Sequence, residues 1–437
     1  MKKLSLNNIV IGILFIALIG GELLRFEIIP GSKGAILGID IALIILNSFY
    51  FIKFIKEKTL FKKIKLLWTN QIWRIEIIFL LWTLLSLILN FGNYTITQSS
   101  VAIFYWIRLF LMFSVAWWIY LENYRHGRRL IQLFYGCGVA IIELGYLQLF
   151  FIPDFEFMAR FGWDPHKFRL LSTFFDPNFL GIFIILMMLI TLGYIFENGL
   201  KFSNTFSFVL LISWSGLFLT FSRSAWIAGA LALVPFIWKY SKIFSLITLF
   251  VFVFALIIPN RLSERVISGT SVLDEKNYSS NYQNYSCSES DSACDPSGAA
   301  RVISYKRGLD LVKKHWLVGV GYNAYGYALV KDGLYSSADL SSHSSQGSDN
   351  SLLNILATTG IVGFILFIWF GFALIIKVWK MWNQDLASNW LAGVVFCFSI
   401  AWVAGSFFNN ALFFPFLLVP ISILIGLVLA QEKKQNE

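Results

Sequence analysis

Three short polar segments in the second half of the chain carry the side chains best suited to chemistry. Residues 221–226 (Phe-Ser-Arg-Ser-Ala-Trp) place Arg223 between two apolar runs. Arg301 is followed by a turn at 319–322 (Gly-Val-Gly-Tyr), and residues 348–351 read Ser-Asp-Asn-Ser. A guanidinium keeps its charge and offers a rigid fork of donors, which suits a phosphate or a diphosphate. We expect the three segments to meet at one site.

The composition predicts a polytopic membrane protein around this site. Of the 437 residues, 57% are hydrophobic and only 14% are charged, whereas soluble domains are usually near 25% charged. The amino terminus shows no signal-peptide cleavage site after its first apolar run, so we interpret that run as a first span. The net charge of +10 comes mostly from short loops between apolar segments. This pattern argues against a nucleic-acid-binding protein.

Apolar windows of about 20 residues, the length that crosses a bilayer, predict an all-α fold of about twelve transmembrane helices. The windows are 8–24, 35–52, 75–91, 100–121, 130–152, 178–196, 204–221, 225–238, 243–259, 351–376, 389–408 and 411–430. We therefore divide the chain into three parts. A membrane domain of about nine spans covers 1–259, one long polar loop covers 260–350, and 351–437 adds about three spans and a tail.

The basic residues predict the orientation. Lys and Arg are concentrated in the loops 53–74 and 122–129, whereas the short loop 92–99 has none. By the positive-inside rule both termini are cytoplasmic, and the loops 153–177 and 260–350 lie outside the cytoplasmic membrane.

The long outer loop has two features of its own. From 299 to 316, apolar residues recur at helical spacing with basic residues opposite, which predicts an amphipathic helix that either lies on the membrane or covers a cavity, or is simply a packed helix with a solvated basic face. Cys287 and Cys294 lie seven apart without a nearby histidine. A disulfide is favoured over a metal site for this pair.

Several polar residues within or beside the spans have both a structural and a functional interpretation. Arg108, Glu143 and Asp40 lie within predicted spans, where they either form a buried ion pair that fixes helix packing or face an inner site for a charged substrate. Asp176 and Asn178 belong to an Asp-Pro-Asn helix start that either caps the helix or lines the mouth of a cavity. Arg223 alone could simply extend towards lipid headgroups.

The ordered set of segments resembles the O-antigen ligase and polymerase superfamily of bacterial surface-polysaccharide assembly. That pattern has a Ser-Arg-Gly or Ser-Arg-Ala arginine, a loop arginine before a Pro-Leu-x-Gly-x-Gly turn, and a His-Asn-x-x-Leu … Gly-x-x-Gly entry to the next span. Here Arg223 follows Ser222, Arg301 precedes Trp-Leu-Val-Gly-Val-Gly at 316–321, and 349–363 begins Asp-Asn-Ser-Leu-Leu and ends Gly-Ile-Val-Gly. The resemblance covers about 220–365.

The resemblance implies a GT-C-like membrane enzyme that transfers a glycan from undecaprenyl diphosphate to an acceptor hydroxyl outside the cytoplasmic membrane. The transfer would be inverting and independent of metal ions or other cofactors. Arg223 and Arg301 would hold the leaving diphosphate, where fixed cations stabilise developing charge.

One position departs from the family pattern. Where ligases of this family have a His-Asn pair, this chain has Asp349 and Asn350. The family's histidine is the proposed general base, so either Asp349 with a raised pKa or the upstream His343 would have to replace it. Asn350, Asp176, Asn178 and Arg108 remain candidates for lining the cavity.

The missing histidine favours a polymerase of lipid-linked repeat units over a ligase that attaches finished glycan to a lipid or protein. A transporter or flippase is a third, more distant alternative, since the chain shows no matching halves and its long outer loop suits an enzyme better. The expected partners are the lipid-linked glycan, an acceptor glycan or lipid, membrane lipids and other polysaccharide-assembly membrane proteins. The expected location is the bacterial inner membrane.

Overall fold

The computed structural model describes residues 6–27, 35–122, 127–161, 163–164, 166–198, 204–257, 296–335, 347–385 and 389–436. The predictions for Cys287, Cys294 and His343 therefore concern residues outside the described part of the chain.

Within that part, helices account for nearly all regular structure. They are α1 (Leu6–Gly20), α2 (Gly38–Lys56), α3 (Leu60–Thr69), α4 (Gln71–Leu89), α5 (Ile96–Leu121), α6 (Gly127–Phe151), α7 (Pro177–Glu197), α8 (Asn204–Leu219), α9 (Arg223–Trp238), α10 (Lys242–Ile257), α11 (Pro296–His315), α12 (Tyr325–Lys331), α13 (Ser351–Gln384), α14 (Trp390–Ser406) and α15 (Pro415–Asn436). Two short strands, β1 (Arg25–Glu27) and β2 (Ala35–Leu37), pair antiparallel, with Phe26 opposite Ile36.

The spans confirm the all-α polytopic class. Among the described residues, eight helices are long and apolar enough to cross a membrane, and four more, α8, α9, α10 and α14, are apolar but shorter. Each of the twelve predicted windows coincides with one of these helices. The count of twelve spans and the GT-C-like arrangement remain predictions.

Two helices form the centre of the bundle. In α7 and α15, 78% and 89% of the most apolar window is buried inside the protein. Helix α15 packs along α5, while α14 packs against both α9 and α7. Because helices that are apolar on all sides gain most when every face is covered, these two take the interior and the others surround them.

Side-chain caps at the starts of three helices position the polar segments. The side chain of Asp176 accepts hydrogen bonds from the first turn of α7, that of Ser222 from the first turn of α9, and that of Asn350 from the first turn of α13. Such residues satisfy backbone N–H groups that have no partner within the helix. The polar ends of three spans are fixed in this way.

Arg108 forms a buried ion pair with Asp40. Its Nε lies 2.7 Å from Asp40 Oδ1 and its Nη2 lies 2.5 Å from Asp40 Oδ2, and Nη2 also donates to the carbonyl of Ala35 at 2.7 Å. The guanidinium stacks on Tyr105, 4.5 Å from the ring centroid. Asp40 in turn accepts from the Leu37 N–H at 2.8 Å. The pair therefore joins α5 to the start of α2 and to β2.

A helix forms over the segment predicted to be amphipathic, but a different face makes the contacts. Leu309 and Trp316, part of the expected apolar stripe, are exposed, whereas Ser304 and Leu311 are buried. At Gly308 an added Cβ would lie 2.8 Å from Leu353 in α13. Helix α11 therefore packs against α13 through small residues as well as apolar ones.

The Gly-Val-Gly-Tyr turn at 319–322 docks on a kink in α13. The N–H groups of Val320 and Gly321 donate to the carbonyls of Ala357 and Thr358 at 3.0 and 2.9 Å. Just beyond, Gly360 has φ 66° and ψ −175°, which interrupts the helix. The turn thus anchors the segment between α11 and α12 to α13, at a point separate from the polar cluster at the start of α13.

Candidate functional site

The turn between α14 and α15 brings the polar segments together. The Arg301 Nε donates to the carbonyl of Phe408 at 3.0 Å, and the Tyr305 hydroxyl donates to that of Phe407. From the other side, Ser351 Oγ donates to the Asn409 carbonyl at 3.2 Å. Residues 407–410 read Phe-Phe-Asn-Asn between two apolar spans. This adjacent pair of asparagines is a polar signal in the sequence that the predicted site did not include.

Arg301 is held by one edge of its guanidinium. Its Nε–H is used by Phe408, and within the described part of the chain no other hydrogen bond or ion pair involves this side chain. The side chain is half-buried. Its two terminal amino groups are therefore available to an anion, in a geometry that a backbone carbonyl fixes in advance.

Asp349 lies in the same cluster and has a perturbed acidity. Its backbone N–H donates to Ser304 Oγ at 2.9 Å. Ser304 lies one helical turn after Arg301 on α11. Burial raises the pKa of Asp349 to about 6, while the charge of Arg301 and a hydrogen bond with Ser304 act in the opposite direction. A carboxyl group with this pKa is mostly ionised at neutral pH and can still accept a proton, as a general base requires.

Asp164, in the segment before α7, belongs to the cluster and was not predicted. It is solvent-accessible, but the surrounding protein desolvates its carboxyl enough to raise its pKa, against the charges of Arg301 and Arg169. Its own charge in turn raises the pKa of Asp349. The Asp164-Pro165 dipeptide repeats the Asp-Pro pattern that singled out Asp176, and it could have been found by the same argument.

Arg169 joins the segment before α7 to the turn before Arg223. Its Nε donates to the carbonyl of Thr220 at 2.8 Å and its Nη2 to that of Phe221 at 3.2 Å. Its charge also acts on both Asp164 and Asp176. Arg169 thereby holds the end of this segment against the α8–α9 turn. No local sequence pattern indicates this contact between distant segments.

The serines beside Arg223 connect it to the cluster. Ser222 Oγ donates to Asn178 Oδ1 at 2.7 Å, and Asn409 Nδ2 donates to Ser224 Oγ at 3.4 Å. Because Asn409 also contacts Ser351, the start of α9, the start of α13 and the 407–410 turn form one continuous polar surface. Arg301 borders this surface through its contact with Phe408, and Arg223 lies in the chain between the two serines.

The remaining predicted site residues form hydrogen bonds or ion pairs within the protein. Asp176 Oδ1 accepts from the N–H groups of Asn178 and Phe179 at 2.6 and 3.2 Å, and burial raises the pKa of Asp176. Asn350 Oδ1 accepts from the Leu353 N–H at 3.0 Å. Asp176, Asn178 and Asn350 thus lie at the edge of the cluster as caps and connectors, while Arg108 is committed to Asp40.

A buried polar atom at the cluster lacks a partner. Asn410 Oδ1 makes no hydrogen bond, and a Cβ added at Gly347 would lie 2.6 Å from Asn410 Nδ2. Buried oxygens without donors are uncommon in folded proteins. Asn410 is therefore a further candidate for contact with a hydroxyl-rich ligand.

An apolar cavity begins beside the polar cluster and runs into the membrane domain. Its volume is about 410 Å³, within the usual range for a ligand site. At the polar end it is lined by Leu352, Phe407 and Leu412, and at the far end by Trp73 and Glu76 of α4. The lining is apolar almost throughout, which suits a hydrocarbon chain. Within the described residues, no group of three or more His, Cys, Asp or Glu could hold a metal ion.

Comparison with known proteins places the polar cluster largely within one family domain. Residues 208–368 match the family model described as O-antigen ligase. This range includes Arg223, Arg301 and Asp349, whereas the 407–410 turn and Asp164 lie outside it. A search of curated proteins gives no match. The match supports the resemblance of this segment to the O-antigen ligase and polymerase superfamily.

Proposed function

We propose that the protein is a membrane glycosyltransferase that polymerises lipid-linked repeat units of a bacterial surface polysaccharide. The donor would be a glycan on undecaprenyl diphosphate and the acceptor a hydroxyl of a second repeat unit, both outside the cytoplasmic membrane. The family match supports ligase- or polymerase-type transfer. The observation that carries the proposal is the juxtaposition of a partly unpaired Arg301 with Asp349.

The reaction follows from these two groups. The acceptor oxygen attacks the anomeric carbon, the bond from that carbon to the diphosphate oxygen breaks, and the configuration inverts. Asp349 accepts the hydroxyl proton, which a carboxylate with a pKa of about 6 can do at neutral pH. Arg301 and Arg223 stabilise the charge that develops on the departing undecaprenyl diphosphate. No group beyond these side chains is needed to balance the step.

The apolar cavity supports a lipid-linked donor. It starts at Leu352 and Phe407, next to the residues that hold Arg301 and Asp349, and continues between α4, α5, α13, α14 and α15. A diphosphate at Arg301 would therefore have an apolar channel beside it for part of its polyprenyl chain.

The experiment is a transfer assay with purified protein in detergent and repeat units on undecaprenyl diphosphate. Products of the wild type, Arg301→Ala, Arg301→Lys and Arg223→Ala would be resolved by chain length. Arg128→Ala serves as the control, since the Arg128 side chain is 89% exposed and far in sequence from the cluster. We expect a ladder of oligomers that is lost by about a hundredfold or more in both alanine variants.

Arg301→Lys tests the geometry as well as the charge. A lysine keeps the positive charge but has no Nε–H to donate to Phe408 and no fork for two phosphate oxygens, so we expect it to remain strongly impaired. Transfer that appears only when a lipid or protein acceptor is added would identify a ligase instead. Flipping or uptake in proteoliposomes without any transfer would overturn the proposed enzyme.

A further inference from the structure

Arg307 is a second arginine of α11, and within the described residues it forms a cation–π contact but no ion pair. Its guanidinium carbon lies 4.4 Å from the ring centroid of Tyr335. Its Nε is buried and has no hydrogen-bond partner, and no ion pair of Arg307 occurs within the part of the chain that the structure describes. A buried donor on a charged group is costly to leave unpaired, so the arrangement calls for a ligand acceptor.

The position of Arg307 is next to the candidate base but away from Arg301. Along α11, Arg301, Ser304 and Arg307 follow at intervals of three residues, which sets the two arginines about 9 Å apart along the axis. Ser304 between them accepts from the Asp349 N–H at 2.9 Å. The Tyr325 hydroxyl donates to the Ser304 carbonyl at 3.4 Å and lies within the electrostatic reach of both Asp349 and Arg307.

Arg307 and Tyr335 together suit a ligand that carries a carboxylate. Stacking on Tyr335 covers one face of the guanidinium, so hydrogen bonds must form in its plane. The Nε–H and one neighbouring N–H then form a side-on pair that matches the two oxygens of a carboxylate. An aromatic ring beside the fork offers an apolar surface against which a sugar ring can pack.

Resting on the proposed function, we infer that Arg307 and Tyr335 form a subsite for the carboxylate of an acidic sugar in the repeat unit. In this arrangement Arg301 holds the diphosphate on one side of Asp349, and Arg307 holds the glycan on the other. The enzyme would therefore act on an anionic polysaccharide, and Arg307 would determine specificity without taking part in the bond exchange.

The test compares the natural repeat unit on undecaprenyl diphosphate with the same substrate after chemical reduction of its carboxyl groups to alcohols. Wild type, Arg307→Gln and Lys313→Gln would be assayed on both. Lys313 lies on the same helix with its side chain 76% exposed, so its variant controls for loss of one positive charge. Thermal unfolding of each variant in detergent would report any change in folding.

With the natural substrate we expect Arg307→Gln to raise KM about tenfold with little change in kcat, since a charge-assisted bidentate contact is lost. With the reduced substrate the variant and the wild type should not differ, and Lys313→Gln should resemble the wild type on both. Equal losses on both substrates would overturn the subsite, as would a natural repeat unit without any carboxylate. So would an unchanged KM in a folded Arg307→Gln.

Failure of the proposed function can be separated from failure of this subsite. If the wild type transfers neither substrate, the transferase proposal fails, and binding is then measured directly by native mass spectrometry with a glucuronic acid glycoside and the matching glucoside. Preference for the glucuronide that Arg307→Gln abolishes would support the subsite, and equal binding of the two glycosides would overturn it.

Discussion

At the scale of single residues, the candidate chemistry depends on how the protein sets the charge of Asp349. Burial raises the pKa of this carboxyl to about 6, the charges of Asp164 and Asp176 raise it further, and Arg301 opposes them. A general base must be ionised to act. As the pH rises through 6 the ionised fraction of Asp349 increases, so activity should rise with pH and reach a plateau above about pH 7.

We therefore expect kcat/KM to fall about tenfold between pH 7 and pH 5, with an apparent pKa near the value of about 6 for Asp349. Asp164→Asn removes a negative charge that raises this pKa, so the acidic limb should move to lower pH. Asp349→Asn should lose activity by about a hundredfold or more at all pH values. Asp310→Asn, on α11 but paired with Lys313, is the control and should keep the wild-type profile.

The measurement is the initial rate of transfer from a lipid-linked repeat unit between pH 5 and pH 8 at constant ionic strength. An acidic limb that stays in place in Asp164→Asn would contradict the assignment of that limb to Asp349. Near-normal activity of Asp349→Asn would exclude this carboxyl as the base.

Sequence patterns identify only some residues of the cluster. Asp349 and Arg301 stand in recognisable segments, so their types and order point to them. Asp164 precedes a proline, as Asp176 does, so the same argument could have pointed to it. Arg169 has no such signal, because its role depends on contacts with distant segments, such as that with the Thr220 carbonyl. Asn409 and Asn410 are adjacent in sequence, but only the fold shows that their turn meets α9, α11 and α13.

At the scale of elements, the kink in α13 positions the start of that helix. Gly360 adopts φ 66° and ψ −175°, a conformation essentially confined to glycine. A Cβ at this position would lie 2.2 Å from the carbonyl oxygen of Leu317. Gly319, opposite it in the docked turn, also has a positive φ of 76°. The close approach of two backbones thus requires glycine on both sides.

Gly360→Ala should therefore lower the free energy of unfolding by about 1–3 kcal/mol or more, the typical cost of such strain. The apparent Tm should fall accordingly. Gly371→Ala in the same helix is the matched control. An added Cβ there meets nothing within 4 Å, and alanine is favoured over glycine in a helix by about 1 kcal/mol. The measurement is thermal unfolding in detergent followed by tryptophan fluorescence, and equal Tm values for the two variants would contradict the argument.

The sequence predicts where helices occur better than it predicts which side of a helix packs against its neighbours. Apolar length predicts the twelve apolar helices of the described chain, because about 20 apolar residues in succession have few alternatives to a helix in a bilayer. Helical periodicity likewise indicates α11. It does not indicate which side of α11 packs, since the contact with α13 uses Gly308 and Ser304, which a hydrophobic pattern does not mark.

At the scale of the whole molecule, the polar cluster adjoins the apolar cavity, whose lining includes Leu352 and Phe407, the neighbours of Ser351 and Phe408. The cavity of about 410 Å³ extends from Leu352 towards Glu76, so a ligand that fills both parts must be polar at one end and apolar along its length. This arrangement could not be predicted from the sequence, because the cavity is enclosed by helices from both ends of the chain.

The cavity can be tested at Gly371, which lines it and has open space around its Cα hydrogen. Gly371→Leu should fold normally, since leucine favours a helix, but its side chain would occupy room that a polyprenyl chain needs. Gly136→Leu in α6 is the control, because a Cβ at Gly136 also meets nothing within 4 Å and this glycine does not line the cavity.

We expect Gly371→Leu to raise the KM for undecaprenyl-linked substrate about tenfold, because forcing extra side-chain volume into an occupied apolar space typically costs about 1–3 kcal/mol. The same variant should differ little from wild type on a farnesyl-linked substrate, whose shorter chain reaches less of the cavity. The decisive quantity is the ratio of the two KM values in wild type, Gly371→Leu and Gly136→Leu. A ratio that does not change in Gly371→Leu would show that the lipid chain lies elsewhere, against the bilayer or another helix pair, and would separate the cavity from the polar cluster.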